Sequence, residues 1–272
     1  MTQQIELIHD QYQADGFYIH PHPVIPPAAV AAAVAGMEAV IRGEYDTNQP
    51  PQPSPWQPGD DPGARLVKIE MPQIANHAIR ALLNQPALGE LAARVAGAKA
   101  VQVWWVQLLR KPPVQPDAAA GTNVGWHQDR HYWQVWDDNS ELFTAWVALS
   151  DVTAAAGPMR FVPGSHRWGQ GSESDFHGQD LDALRVRIEA SGDGIWDEVP
   201  AILPPGAVSF HHSLTYHGSG PNVSDGPRRS FAIHLRTDNS RPRGDQRHGL
   251  AAFIDNLDYC PVIYGTRADF RG

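Results

Sequence analysis

From residue 99 onward the chain is written for short β-strands, without the alternating helices that a parallel α/β sheet needs. The run Val101-Gln102-Val103-Trp104-Trp105-Val106-Gln107-Leu108-Leu109 is β-branched and aromatic, and Lys111-Pro112-Pro113 stops it. Residues of this kind suit a pleated, half-buried surface, and proline cannot continue the ladder. Further strand candidates lie at 142–150, 159–162, 207–212 and 229–236, several divided by Gly, Pro, Asn, Asp and Ser turns. That spacing predicts a β-sandwich or jelly roll.

The preceding residues read as helix and loop. Residues 4–16 carry Ile5, Leu7, Ile8 and Tyr12 and end at Gly16, before a strand-like Phe17-Tyr18-Ile19. Pro26-Pro27 opens an Ala-rich helix to about Arg42, and 75–97 holds two short helices broken near Asn84-Gln85-Pro86. Between them, 46–64 is proline-rich and predicts a loop or lid. A second candidate lid is the insertion 167–200, with a short helix at Leu181–Ala190. No composition break divides the chain, so 1–272 reads as one domain, mainly β with peripheral helices. Its parts are a helical region with a lid loop (1–98), a jelly-roll core (99–236) and a covering segment (237–272).

Charge and cysteine usage narrow the function. Lys+Arg is 21 against 30 Asp+Glu, a net −9, which argues against general nucleic-acid or acidic-membrane binding. The single cysteine, Cys260, excludes an intramolecular disulfide and a Cys-based zinc cluster. No apolar run reaches the ~18 residues of a membrane span, and the start lacks a signal-peptide pattern. The expectation is a cytoplasmic protein, monomer or homodimer, with a small-molecule partner. Its 13 His and 9 Trp point to a metal site among aromatics.

Within Gly125-Trp126-His127-Gln128-Asp129, His127 and Asp129 stand two apart. In a strand they share a face and can offer a neutral nitrogen and a carboxylate oxygen to one ion. His217 is the best third ligand, and His211, of the same parity, is the fallback; His212 adjoins it. Two His and one carboxylate leave coordination positions open, which suits Fe(II) binding a cosubstrate and O2. Arg228 follows His217 past a turn at Asp225-Gly226-Pro227. Its fork of donors matches the far carboxylate of a 2-oxo-acid, while Arg229 has the parity of the opposite sheet face. Strand alternation also places Trp104 and Trp105 on opposite faces. Arg130, His131, Tyr132 and Trp133 are candidate substrate contacts.

These residues, in this order, resemble the phytanoyl-CoA dioxygenase family of Fe(II)- and 2-oxoglutarate-dependent oxygenases. The resemblance is carried by Lys111-Pro112-Pro113, Trp126 to Trp133, Ala145-Trp146-Val147-Ala148-Leu149, Gly157 to His166, His217 to Asn222, and Arg228. It implies a double-stranded β-helix with helices outside, iron on His127, Asp129 and His217, and 2-oxoglutarate on Arg228. It further implies Ser219 as a helper, Trp146 lining the cosubstrate pocket and Lys111 nearby. The reaction implied is hydroxylation with release of succinate and CO2. Desaturation, epimerisation or ring closure by the same centre, and a non-catalytic binding protein, are the alternatives. Asp129 argues against halogenation, which in related enzymes uses a small residue at that position.

Overall fold

The computed structural model describes residues 2–114, 121–191, 194–244 and 247–270. Helix α1 (Thr2–Asp15) ends at Gly16, whose φ of +78° is left-handed and whose Cβ would meet His166 Nδ1 at 2.3 Å. Strand β1 (Phe17–His20) follows, then α2 (Pro27–Arg42), which starts with proline in its first turn. After β2 (Val67–Glu70), Asn76 caps α3 (His77–Leu83) by accepting from the amides of Ala78 and Ile79. Helix α4 (Pro86–Ala96) restarts at the expected break.

The β-rich part contains β3 (Val101–Lys111), β4 (Val124–His127), β5 (Leu142–Ala148) and β6 (Arg160–Phe161). It continues with α5 (Leu181–Ser191), β7 (Val199–Pro200), β8 (Val208–His212), β9 (His217–Ser219), β10 (Arg228–Thr237) and β11 (Val262–Tyr264). Two antiparallel sheets build the jelly roll. The larger runs β1-β8-β5-β10-β3-β11 with β2 also on β3, and the smaller runs β4-β9-β6-β7. Thus β1, β2 and β11, from outside 99–236, complete the larger sheet.

Strand parity assigns the faces. Phe231, Ile233 and Leu235 of β10 and Phe143, Ala145 and Val147 of β5 join a core with Met37, Leu82, Leu83, Leu88 and Val95 from the helices. Each fully buried large aliphatic side chain there contributes roughly 1.5–3 kcal/mol. The alternate residues Arg228, Ala232 and His234 of β10 and Thr144 and Trp146 of β5 line the interior cleft. Outside the smaller sheet, Trp126 packs with Leu184, Ile188, Trp196 and Tyr216, so the 167–200 insertion is a packed layer there.

One expectation of alternation fails. In the β3–β10 register His234 pairs with Trp105 and Leu235 with Val103, leaving Trp104 as the extra residue of a bulge. Trp104 and Trp105 therefore lie in one aromatic cluster with Trp133 and Trp136, not on opposite faces. Cys260 is buried in the same cluster and donates to the Trp104 carbonyl at 3.6 Å. The proline-rich 46–64 segment is tied to α2, with Trp56 Nε1 donating to the Ile41 carbonyl. No helix among the described residues is long and apolar enough to cross a membrane.

Two outcomes are expected. Gly125 lies against the insertion, and a Cβ there would sit 2.0 Å from the Asp175 carbonyl oxygen. Gly125→Ala should cost about 1–3 kcal/mol in a denaturant unfolding curve. Burial pushes the Cys260 thiol up to about 12, so it should resist alkylation at pH 8 when folded and react once denatured.

Candidate active site

The site begins with strand register. On β4 and β9, His127 stands directly opposite His217, so both rings project from one face of the smaller sheet with centroids 4.1 Å apart. Asp129 follows on a short 3-10 turn, Asp129–His131. That turn is anchored by Gln128, which is fully buried and donates to the carbonyls of Gly169 (2.9 Å) and Leu214 (2.7 Å). Its Oε1 accepts from the Gly171 amide at 2.9 Å.

His127 Nδ1 lies 2.8 Å from the Gly125 carbonyl and His217 Nδ1 2.9 Å from the Thr215 carbonyl. Each Nδ1 must donate there, which leaves each Nε2 as the ring nitrogen that can face an ion. Asp129 Oδ1 lies 3.6 Å from His127 Nε2 and 3.7 Å from His217 Nε2. These distances suit neighbouring ligands of one ion. The donor atoms of the three residues lie within 4.8 Å of one another, and this is the one such group among the described residues.

The other carboxylate oxygen is held from behind. Asp129 Oδ2 accepts from Thr144 Oγ1 at 2.8 Å and from His211 Nε2 at 3.2 Å. Thr144 Oγ1 also lies 2.9 Å from His234 Nδ1, which donates to it. His211, the fallback ligand, is thus a partner of the carboxylate. Burial pushes the Asp129 carboxyl up, but His217, His127 and His211 together hold it well below its ordinary range. Burial, with His127 and His211, holds His217 well below its ordinary value and therefore neutral. Burial lowers His234 to about 4. An ionised Asp129 and a neutral His217 are the protonation states a divalent metal requires of them.

Arg228 is 1% exposed and its guanidinium lies 5.2 Å from the Trp146 ring. One Nη donates to the Gly157 carbonyl, while Nε has no hydrogen-bond partner among the described residues. No carboxylate pairs with it there, and burial lowers it to about 10. A buried cation without an anion is costly, so the arrangement fits a carboxylate-bearing ligand. Arg228, Trp146 and Ser219 share the cleft with the His-Asp-His group, between Leu109, Met159 and Ala232. Lys111 does not line it. Its Nζ donates to Ser219 Oγ (2.6 Å) and the Gly220 carbonyl (2.6 Å), which leaves the Ser219 hydroxyl hydrogen free to point elsewhere. Arg229 is on the other face, 2.7 Å from Glu38.

Beside the cleft opens a cavity of about 230 Å³. Tyr132 and Trp133 line it, but Arg130 and His131 do not. The expectation for Arg130 is corrected: its buried guanidinium turns back to the carbonyls of Trp133, Trp136 and Asp137 and to the Asp138 carboxylate. The sequence reading missed Lys68, Glu70, Trp105, Phe176, His234 and Leu250 on its wall. His234 shares parity with Arg228, which was a usable signal; Phe176 lies in an irregular segment and Leu250 on a three-residue 3-10 turn, and neither carries one. No residue of 46–64 lines the cavity. Thr144→Val keeps the shape and removes the support behind Asp129. It is expected to weaken Fe(II) binding by about 10–100-fold in an anaerobic titration.

The phytanoyl-CoA dioxygenase family model matches residues 12–230. A probable α-ketoglutarate-dependent hypophosphite dioxygenase of Stutzerimonas stutzeri is 29% identical over 62% of this chain and 56% of its own length. A probable phytanoyl-CoA dioxygenase of Caenorhabditis elegans is 28% identical over 48% of this chain and 41% of its own. The match thus spans about half the length of these relatives. An ectoine dioxygenase of Bordetella parapertussis is 27% identical over 84% and 74%. Among solved structures, the non-heme α-ketoglutarate-dependent epimerase SnoN from nogalamycin biosynthesis superposes with a TM-score of 0.66 at 24% identity, over 90% of this chain and 87% of that one. AviO1 of Streptomyces viridochromogenes Tue57 gives 0.60 at 26%, over 87% and 96%. With the family model covering most of its length, the chain belongs to the phytanoyl-CoA dioxygenase family.

Proposed function

We propose that this chain is an Fe(II)- and 2-oxoglutarate-dependent oxygenase that hydroxylates a small organic molecule. The observation that carries the reading is the adjacency, in one buried cleft, of the His127, Asp129 and His217 donors and the uncompensated Arg228 guanidinium. His127, Asp129 and His217 would hold the iron. Arg228 would take the far carboxylate of 2-oxoglutarate, with the Ser219 hydroxyl donating beside it. When bound, iron supplies the activation of O2 that couples conversion of 2-oxoglutarate to succinate and CO2 with oxidation of a substrate C–H bond.

The protein's own part is position and exclusion of water. Leu109, Met159 and Ala232 give the cosubstrate pocket apolar walls, where a carboxylate–guanidinium contact is stronger than in water. Thr144 and His211 fix one Asp129 oxygen and so aim the other at the metal position. Phe176 and Tyr132 stand against the His127 ring at 5.1 and 6.1 Å and screen it on the substrate side. The 167–200 insertion, which supplies Phe176 and His177, is the cover of the site in this reading. Glu70 accepts from Trp105 Nε1 at 2.6 Å and Gln107 Nε2 at 3.3 Å, a fixed anchor for a polar substrate group.

A compact free substrate suits the cavity better than an acyl-CoA. Its volume is about 230 Å³, and Lys68 is the one Lys or Arg among the described residues lining it. The test is to add Fe(II) and 2-oxoglutarate without oxygen and record the visible charge-transfer band. His217→Ala should abolish the band. Arg228→Ala should raise the 2-oxoglutarate concentration needed by roughly 10–100-fold, the loss of one charge-assisted contact. A folded, iron-loaded chain with no band would defeat the reading.

A further inference from the structure

A second cavity, of about 390 Å³, lies between the end of β10, the start of β3 and the C-terminal segment. Four guanidiniums line it, from Arg236, Arg241, Arg247 and Arg267, and Asp255 is the one acidic side chain among the described lining residues. Among the described lining residues that is a local excess of positive charge in a chain of net charge −9. Arg247 Nε and Arg267 Nη2 share the Asp255 carboxylate, at 3.0 and 3.5 Å. Arg241 donates to the carbonyls of Asp238 and Ser240.

Arg236 forms the floor. It is 8% exposed, and its guanidinium lies 4.4 Å from the Phe270 ring and 5.7 Å from Trp136. Its Nε donates to Gln102 Oε1 at 2.8 Å. Gln102 is fixed in turn, its Nε2 donating to the carbonyls of Ile254 and Cys260 at 2.7 and 2.8 Å. Both Nη groups of Arg236 are without a hydrogen-bond acceptor among the described residues. A flat, stacked, oriented guanidinium with unused donors is built to meet an oxyanion. Arg247 and Arg267, with side chains 34% and 53% exposed, can close on it from the rim. The cavity is walled off from the catalytic cleft by packed rings: His234 on Trp104 at 5.4 Å, and Trp104 on Trp136 at 5.4 Å.

We propose that this cavity is a binding site for a compact multivalent oxyanion, phosphate-bearing or polycarboxylate, distinct from the cosubstrate pocket. The test is calorimetric titration of the metal-free full chain with inorganic phosphate, pyrophosphate and citrate in constant chloride. Omitting iron prevents chelation and keeps the result independent of the oxygenase reading. One saturable site is expected. Arg247→Gln and Arg267→Gln should each weaken it about tenfold, the scale of one lost charge-assisted contact. Asp255→Asn, which removes the internal competitor, should tighten it. Preference for the phosphates supports a phosphorylated ligand and preference for citrate a polycarboxylate, and either upholds the site. No saturable heat at millimolar anion overturns the proposal. So does binding that Arg228→Ala abolishes while Arg247→Gln and Arg267→Gln leave it intact, which would place the anion in the cosubstrate pocket.

Discussion

The register between β4 and β9 is the constraint on which the site rests. Because His127 stands opposite His217, two imidazoles arrive on one sheet face with no help from a loop. A slip of one residue would send either ring toward Trp196 and Tyr216 on the outer layer. Several contacts guard against that slip. Gly218 passes close to Val124 and Trp126, Trp126 is buried in the outer cluster, and Gln128 ties the following turn to Gly169 and Leu214. The third donor depends on the larger sheet instead: Asp129 is braced by Thr144 of β5 and His211 of β8. The donor set therefore exists only when the two sheets close on each other.

Electrostatics adds a second dependence. The interior holds one cluster of buried imidazoles about a carboxylate and, beside it, a guanidinium without a counter-charge among the described residues. Folding into such a state is expensive unless other burial offsets it. The helix-backed core of Met37, Leu82, Leu83, Leu88, Phe231 and Ile233 supplies that burial on the opposite face of the same strands. Stability and chemistry thus occupy alternate residues of β5 and β10.

Much of this was legible in the sequence because it follows from parity. One residue of difference separated Arg228 in the cleft from Arg229 on Glu38, whereas Asp129 lies past the end of β4 on a 3-10 turn, so its place beside His127 does not follow from strand alternation. The helices fell where Pro, Gly and Asn punctuate the chain. Parity failed where the ladder is irregular. The bulge at Trp104 reverses the alternation of β3, and no residue type in Val103-Trp104-Trp105-Val106 announces it. Arg130 follows the metal motif but sits on a 3-10 turn, so it swings to Asp138 and nearby carbonyls instead of the cavity. Glu70, Phe176 and Leu250 reach the wall through long-range packing, which a local pattern does not encode.

The cavity wall is assembled from unequal materials. Trp105, Gln107 and His234 stand on paired strands, whereas Tyr132, Phe176, His177 and Leu250 come from turns and irregular segments. The strand residues are locked to the metal geometry, so they drift only together with it. The others stand outside the strand ladder, on the turn after β4, the insertion and the C-terminal segment. A change of side chain at Phe176, His177 or Leu250 can therefore reshape the cavity while leaving every strand pairing of the donor set in place.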